Sequence, residues 1–225
     1  MRAILVDWLV DVHIKFKLVP ETLFLTVNLI DRFLERVQIT RQKLQLVGVA
    51  AMLIASKYEE IYPPEVKDFV YVTDRAYTKE DILDMEGKIL STLQFHLTFT
   101  SSLRFLERYS KLVHMDQKGF NFCRYLLELA LVEYRTLKYI PSLLACASIY
   151  LYNRLTKREG WSDVLAKNSK HEEMNVKACA KDLLALLQGA EQSQLQAVRR
   201  KFSSPKFFEV SKTSIEHSTI NNLSL

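Results

Sequence analysis

The chain has 225 residues, 48% of them hydrophobic, which is enough to bury the core of one large domain or of two modest ones. Five glycines and five prolines are too few for a β-sandwich or for an enzyme built on βα loops, and they favour helices joined by short turns. The net charge of +5 comes from scattered Lys and Arg, and no stretch is long and uncharged enough to span a bilayer, so neither nucleic acid nor a membrane is an expected partner.

Apolar periodicity and helix-start residues organise the first hundred residues. They predict five helices: the opening segment, Leu23 to Val37 after Pro20, Leu44 to Ala55, Val66 to Tyr71, and a last one through Ile82 to Leu93 behind the capping box Thr78-x-x-Asp81. The third of these is apolar on every side and rich in small residues. A helix of that kind has to lie inside other helices, so we expect it at the centre of the domain.

The second hundred residues repeat this plan. Five further helices are predicted: Ser101 or Ser102 to Leu112, Phe120 to Tyr134, Ile140 to Leu155, a short one around Trp161 to Ala166, and Val176 to Leu187. The two all-apolar helices lie about 95 residues apart, as a duplicated five-helix domain requires. The fold is therefore predicted to be all-α, with domains at 1–97 and 98–202. The periodic pattern fails from Ser203, so 203–225 is predicted to be a C-terminal extension, laid over the surface or partly disordered.

The cysteines and histidines indicate the cellular compartment of the protein and whether it has a metal or catalytic site. Cys123, Cys146 and Cys179 are odd in number and set apart among apolar residues, so we interpret them as core residues of a nuclear and cytoplasmic protein. The five histidines form no ligand pair, and no glycine loop for phosphate occurs. We therefore expect no metal, no cofactor and no catalysis by the chain itself.

The segment from Gln45 to Lys67 is the most informative for function. Its apolar run stops abruptly at Lys57-Tyr58-Glu59-Glu60, which is followed by Pro63-Pro64. A charged cluster directly after a core helix lies at the surface on a rigid support. The pattern therefore indicates a docking site, although Lys57 taken alone, like Glu86, is typical of an ordinary surface charge.

The opening helix carries two further patterns. Arg2 lies on the helical wheel between Leu9 and Val6, so its guanidinium is predicted to be partly buried and to need a carboxylate partner, for which Asp31 is the candidate. One apolar stripe also follows this helix, with a second apolar face roughly opposite. One face must serve the core, and the other could be an exposed groove; the stripe consists of Met1, Ile4, Leu5, Trp8 and Val12.

Several motifs in register identify a family. They are Met1 to Leu5 (MRAIL), Asp7 to Val10 (DWLV), Ile30 to Leu34 (IDRFL), Lys43 to Gly48 (KLQLVG) and Ala55 to Glu65 (ASKYEEIYPPE). Their order and spacing resemble the cyclin box of mitotic A- and B-type cyclins, and the tyrosine in Ala-Ser-Lys-Tyr favours the B-type. Cyclins of this class carry a further helix and a long regulatory segment upstream. We therefore expect this sequence to be a truncated piece of a longer protein, with a naturally short protein as the lesser alternative.

The resemblance implies two tandem cyclin boxes and a non-catalytic subunit that binds and activates a cyclin-dependent kinase in mitosis. It implies that Lys57 and Glu86 bind backbone groups of the kinase, and that Arg2 pairs with Asp31. The surrounding contacts to the kinase would come from Glu59, Glu60, Ile61, Leu90, Phe95 and Leu97.

The resemblance also implies that the stripe is a docking patch for substrates or inhibitors that contain Arg-x-Leu. Asp11 and Asp74 would bind the cation of such a peptide, although Asp11 is one methylene shorter than the glutamate of A-type cyclins. The patch itself would consist of Met1, Ile4, Leu5, Trp8, Arg41, Leu44 and Gln45. Two other functions remain open: a transcription-factor-B-like or pocket-protein use of the same fold, and an enzyme with an unusual helical site.

Overall fold

The computed structural model describes residues 1–213 and divides into two compact units, Met1–Phe99 and a second that begins at Thr100. Residues 1–99 form five α-helices: α1 (Arg2–Lys15), α2 (Pro20–Arg36), α3 (Leu44–Glu59), α4 (Val66–Val72) and α5 (Lys79–Thr92). The α3 helix packs against each of the other four, and it is buried without interruption from Leu46 to Ser56. The predicted central position of this all-apolar helix is confirmed.

Capping side chains determine where the last two helices of this domain begin. The Asp81 N–H donates to the Thr78 hydroxyl at 3.1 Å, and the Thr78 N–H donates to the Asp81 carboxylate at 2.9 Å. The predicted capping box at the start of α5 is thus confirmed. Glu65 and Asp68 form the same reciprocal arrangement at the start of α4, directly after Pro63-Pro64.

The second domain repeats the arrangement of the first. Residues 100–213 form six α-helices: α6 (Ser102–Leu112), α7 (Gln117–Val132), α8 (Pro141–Leu155), α9 (Asp163–Ser169), α10 (Glu173–Gly189) and α11 (Ala197–Phe202). The α8 helix packs against α6, α7, α9 and α10, and it is buried from Ala145 to Tyr152. The all-α fold is confirmed: no strand occurs in the described part of the chain, and none of the helices there is long and apolar enough to cross a membrane.

The chain after α10 contains structure that the sequence did not predict. The α11 helix and the 3-10 turns Pro205–Phe207 and Val210–Lys212 pack beside α7. The Phe202 ring contacts the rings of Tyr125 and Phe207, with centroids 5.4 and 4.8 Å away, and Val210 is buried. The first part of the predicted extension is therefore folded against the second domain, and its remainder, 214–225, lies outside the described residues.

A buried charge network fastens α11 to α7. The Glu128 carboxylate, with no exposed surface, accepts from Lys201 Nζ at 2.6 Å and from Arg124 Nε at 2.9 Å. The Arg124 guanidinium also lies over the rings of Phe202 and Phe207, at 5.6 and 5.5 Å from their centroids. Because a buried carboxylate needs such partners to offset its desolvation, α11 belongs to the core of this domain.

Candidate protein-binding sites in the first domain

An open groove of about 190 Å³ runs between α1 and the start of α3. We call it the α1 groove, and it is lined by Met1, Ile4, Leu5, Trp8, Arg41, Leu44 and Gln45. Seven of the nine residues predicted for the docking patch therefore lie together. Asp11 and Asp74 are outside this lining: Asp11 follows Trp8 by one turn of α1, and the exposed Asp74 lies in the turn after α4.

The groove exists because α1 has two apolar faces. Val6, Leu9 and Val10 are fully buried in the domain, whereas Met1 and Ile4 on the outer face are exposed. Gly48 of α3 allows the two helices to approach closely. A Cβ atom at that position would lie 2.8 Å from a methyl carbon of Leu5 and 3.3 Å from one of Leu9. The floor of the groove therefore depends on a glycine at this position.

The predicted partners Arg2 and Asp31 are in contact. The Arg2 Nε donates to Asp31 Oδ1 at 2.5 Å and its Nη2 donates to Oδ2 at 2.8 Å, which is the bidentate geometry of a strong pair. The two side chains are 13% and 20% exposed. The pair joins α1 to α2 and so fixes the end of α1 that carries Met1 and Ile4 into the groove.

A second ion pair joins α3 to α5. Lys57 Nζ donates to both carboxylate oxygens of Glu86 at 2.8 Å. The Lys57 side chain is 48% exposed, but that of Glu86 is only 12% exposed. Glu86 is therefore less exposed than an isolated surface carboxylate, and both of its oxygens are engaged by Lys57.

Exposed apolar side chains occur in the two segments that follow α3 and α5, the helices that this pair joins. Ile61 and Tyr62, in the loop after α3, are 87% and 91% exposed. The Tyr58 hydroxyl hydrogen-bonds the Thr98 hydroxyl at 2.7 Å, which holds the segment after α5 beside the end of α3. That segment carries the exposed Phe95 and the half-buried Leu97, and Leu90 lies one turn beyond Glu86 on α5. We call the resulting surface the α3–α5 face: Lys57, Glu86, Ile61, Tyr62, Leu90, Phe95 and Leu97.

Tyr62 was missed by sequence analysis. The signal that could have found it is an aromatic residue in a short loop directly before Pro63-Pro64, where no helical face is available to bury it. A large exposed apolar side chain beside others is typical of a protein-binding surface.

Glu59, the last residue of α3, and Glu60, which follows it, are less exposed than Ile61 and Phe95 among the predicted kinase contacts. Glu59 is half-buried. Glu60 Oε1 accepts from the Val19 N–H at 2.8 Å and from the Thr22 hydroxyl at 2.5 Å, both at the start of α2. Val19 is the N-cap of α2, and in a capping box its backbone N–H would be accepted by a Glu or Gln side chain at the third helical position. Thr22 occupies that position and its own hydroxyl donates to Glu60, so Glu60 accepts the Val19 N–H from the segment after α3. The absence of Glu or Gln three residues after Val19 was the available sequence signal.

The cysteines are not part of either site. All three are buried, and burial raises the pKa of Cys146 to about 11 and that of Cys179 to about 12, while the pKa of Cys123 is raised further. Such thiols are unreactive near neutral pH. Within residues 1–213, no group of three or more His, Cys, Asp or Glu side chains is placed to hold a metal ion.

Family models match both domains. Residues 1–98 match the cyclin N-terminal domain, and residues 100–216 match the cyclin C-terminal domain. The chain belongs to the cyclin family, as its motifs predicted.

The relatives are named as B-type cyclins. The chain is 47% identical over 212 residues to the G2/mitotic-specific cyclin-B of Dictyostelium discoideum, covering 93% of this chain and 49% of the relative. It is also 47% identical over 212 residues to that of Spisula solidissima, covering 94% and 50%. Cyclin-B2-1 of Arabidopsis thaliana is 45% identical over 218 residues, covering 96% and 51%. The chain thus spans about half the length of the curated relatives that it matches.

Solved structures share the fold. A viral cyclin from Herpesvirus saimiri superimposes with a TM-score of 0.73 at 21% identity, covering 82% of this chain and 84% of that one. A chain of the yeast RNA polymerase II CTD kinase complex superimposes with a TM-score of 0.71 at 14% identity, covering 98% and 80%. At these identities the likeness is one of fold alone.

Proposed function

We propose that this chain forms the cyclin-box region of a non-catalytic subunit that binds and activates a cyclin-dependent protein kinase in the nucleus and cytoplasm and controls mitotic progression. The observation that carries this proposal is the α3–α5 face. It combines a preoriented charge pair that joins the central helix α3 to α5 with exposed apolar side chains in the segments that follow these two helices, Ile61, Tyr62 and Phe95. The names of the relatives, G2/mitotic-specific cyclin-B, support the mitotic role.

Both members of the Lys57–Glu86 ion pair can form further hydrogen bonds with a partner protein. An ammonium group has three protons and a carboxylate has about four acceptor positions, so Lys57 and Glu86 can each bind another group while they remain paired. Backbone N–H and C=O groups of the kinase are suitable partners because charge-assisted hydrogen bonds are stronger than neutral ones. Since the pair already fixes both side chains, little rotamer freedom is lost when the kinase binds.

The α3–α5 face would activate the kinase by binding only one of its conformations. Kinase catalysis requires a strand lysine paired with the glutamate of the regulatory C-helix, and the position of that helix decides whether they meet. A surface complementary only to the swung-in helix shifts the population toward the active state. The chain itself contributes no group to phosphate transfer.

The α1 groove would recruit substrates or inhibitors that contain Arg-x-Leu. Its apolar lining suits the leucine, and Asp11 and Asp74 are the proposed carboxylates for the arginine. Nucleic acid and membrane are not proposed as partners.

Replacing both Lys57 and Glu86 by alanine tests the proposed kinase face. We expect the double mutant to lose kinase activation, because each charged hydrogen bond lost at a desolvated interface costs about 2–5 kcal/mol. Its free energy of unfolding should fall by less than about 1 kcal/mol, since no buried charge is left without its partner. The measurement is phosphate transfer by candidate mitotic kinases after co-purification with wild type or mutant.

A matched control is the double mutant Lys138→Ala/Asp182→Ala, which removes an exposed ion pair of 2.9 Å from the second domain. It should activate the kinase as the wild type does. Full activity of Lys57→Ala/Glu86→Ala would show that the kinase docks on another face.

A further inference from the structure

We infer that Glu60 is a positioning residue, whose carboxylate holds the loop 61–64 so that Ile61 and Tyr62 are presented to the kinase in a fixed orientation. This inference rests on the proposed function. It assigns Glu60 a role different from direct contact, because its Oε1 atom is engaged by two groups of α2.

The carboxylate connects two elements that are far apart in sequence. Glu60 follows the last residue of α3 and has an extended backbone, with φ −92° and ψ 143°. Its side chain reaches the Val19 N–H and the hydroxyl of Thr22, a residue with no exposed surface. A negative charge at the start of α2 also complements the helix dipole. The exit of α3 is therefore tied to a buried point of the domain.

The other end of the loop is tied as well. The Glu65 N–H donates to the Asp68 carboxylate at 2.9 Å in the capping box of α4. Four residues separate Glu60 from Glu65, and two of them are prolines with restricted φ. A loop this short and stiff takes its direction from its two anchors.

Ile61 and Tyr62 depend on those anchors because packing does not hold them. Their side chains are 87% and 91% exposed. If the Glu60 side-chain anchor is lost, the α3 end of the loop keeps the hydrogen bond from the Glu60 N–H to the Ser56 carbonyl at 2.9 Å but loses its connection to α2, so the loop residues must be ordered further when the partner binds. That ordering opposes association even when every contact residue is intact.

Thr22 provides the decisive test because a partner protein cannot reach it. Thr22→Val removes one of the two donors to Glu60 at nearly constant volume, whereas Thr22→Ser keeps the hydroxyl. Glu60→Ala removes the anchor, and Glu60→Gln keeps an acceptor oxygen. We measure the dissociation constant of the complex with a mitotic kinase. In the free protein we measure hydrogen exchange of the Val19 and Glu60 amides, which donate to the Glu60 carboxylate and to the Ser56 carbonyl.

We expect Glu60→Ala to bind the kinase about tenfold more weakly and to exchange these amides faster. Glu60→Gln should restore most of the affinity, Thr22→Ser all of it, and Thr22→Val should be intermediate. The double mutant Glu60→Ala/Thr22→Val should be no worse than Glu60→Ala, because both changes break one connection. Ser162→Ala, which removes the N-cap hydrogen bond of α9 in the second domain, is a stability control and should bind normally.

Weaker binding by Glu60→Ala with unchanged binding and exchange in Thr22→Val would overturn the inference, because Glu60 would then contact the kinase directly. Unchanged affinity in both variants would also overturn it. A wild-type chain that neither binds nor activates any mitotic kinase would instead refute the proposed function, and with it the role of the loop in kinase binding.

Discussion

The two domains use paired charges in opposite ways. In the first, Lys57 and Glu86 pair at the surface of the α3–α5 face, with side chains 48% and 12% exposed. In the second, Glu128 and Lys201 are 0% and 4% exposed and join α7 to α11. A surface pair contributes about 0–1 kcal/mol to stability, whereas removing one member of a buried pair costs about 3–5 kcal/mol. The first pair can therefore take part in binding while contributing little to stability. The second is inaccessible to a partner and stabilises the domain.

The largest expected effect comes from the buried network. Lys201→Ala should lower the free energy of unfolding of the second domain by about 3–5 kcal/mol, because Glu128 keeps its charge without its shortest contact. Urea unfolding followed by Trp161 fluorescence measures this in a Trp8→Phe background, since these are the two tryptophans of the chain.

The matched variant is Lys201→Met/Glu128→Gln/Arg124→Met, which removes all three charges of the network and should recover much of that loss. A cost below about 1 kcal/mol for Lys201→Ala would show that α11 is not part of the domain core, and the contrast between the two domains would then disappear.

The Arg2–Asp31 pair is intermediate in exposure between the other two pairs. Breaking it should therefore lower the free energy of unfolding by an intermediate amount. We expect Arg2→Ala to destabilise the first domain by about 1.5–3 kcal/mol, the range for hydrogen bonds to charged groups. Unfolding followed by Trp8 fluorescence measures it, and Arg2→Ala/Asp31→Ala should cost less than the single change. If Arg2→Ala leaves the free energy of unfolding unchanged, the exposure of an ion pair does not predict how much its loss destabilises the domain.

Gly48→Ala tests whether a binding surface can be lost while the fold survives. The new methyl group would crowd Leu5, and overpacking of about 1–3 kcal/mol would be partly offset by the better helix propensity of alanine, leaving a net loss of about 1 kcal/mol. Displacement of Leu5 changes the floor of the α1 groove. Calorimetric titration should show weaker binding of an Arg-x-Leu peptide, with kinase activation retained; unchanged peptide binding would place the docking site elsewhere.

The smallest effect concerns an exposed pair in the second domain. Hydrogen bonds from Lys138, and then from Tyr139, lower the pKa of Asp182 below its ordinary value of 3.8. A carboxylate of this kind stabilises the fold above pH 3.8, and that contribution is lost as pH falls through the lower pKa of the folded state. The stability difference between wild type and Asp182→Asn should therefore shrink below pH 3.8. A stability difference that stays constant below pH 3.8 would show that protonation of Asp182 is not linked to unfolding.

The helices were predictable because their signals are local. Periodicity and caps marked all ten helices of the two repeats, and the two central helices could be recognised from apolar residues on every side. The α11 helix was not predictable in this way. It has six residues, and its Arg199-Arg200-Lys201 run is typical of a solvated surface. Lys201 is buried, and its ammonium group is paired with Glu128, 73 positions earlier.

The candidate sites were predictable in part for a similar reason. Motif order located the residues of the α1 groove, which the structure brings together, and those of the α3–α5 face except Tyr62. The role of Glu60 could not be read from its neighbours in sequence, because it depends on the start of α2, 38 and 41 positions earlier. The enclosure of Glu86 likewise results from the packing of α5 against α3.

The burial of all three native thiols makes this protein convenient for site-directed labelling. Cys123, Cys146 and Cys179 are enclosed with raised pKa values, so a maleimide dye should leave them unmodified while the protein is folded. A cysteine introduced at the exposed position of Tyr62 would then carry the fluorophore alone, without removal of any native residue from the core. Its anisotropy would report directly on the motion of the loop and on its capture by a kinase.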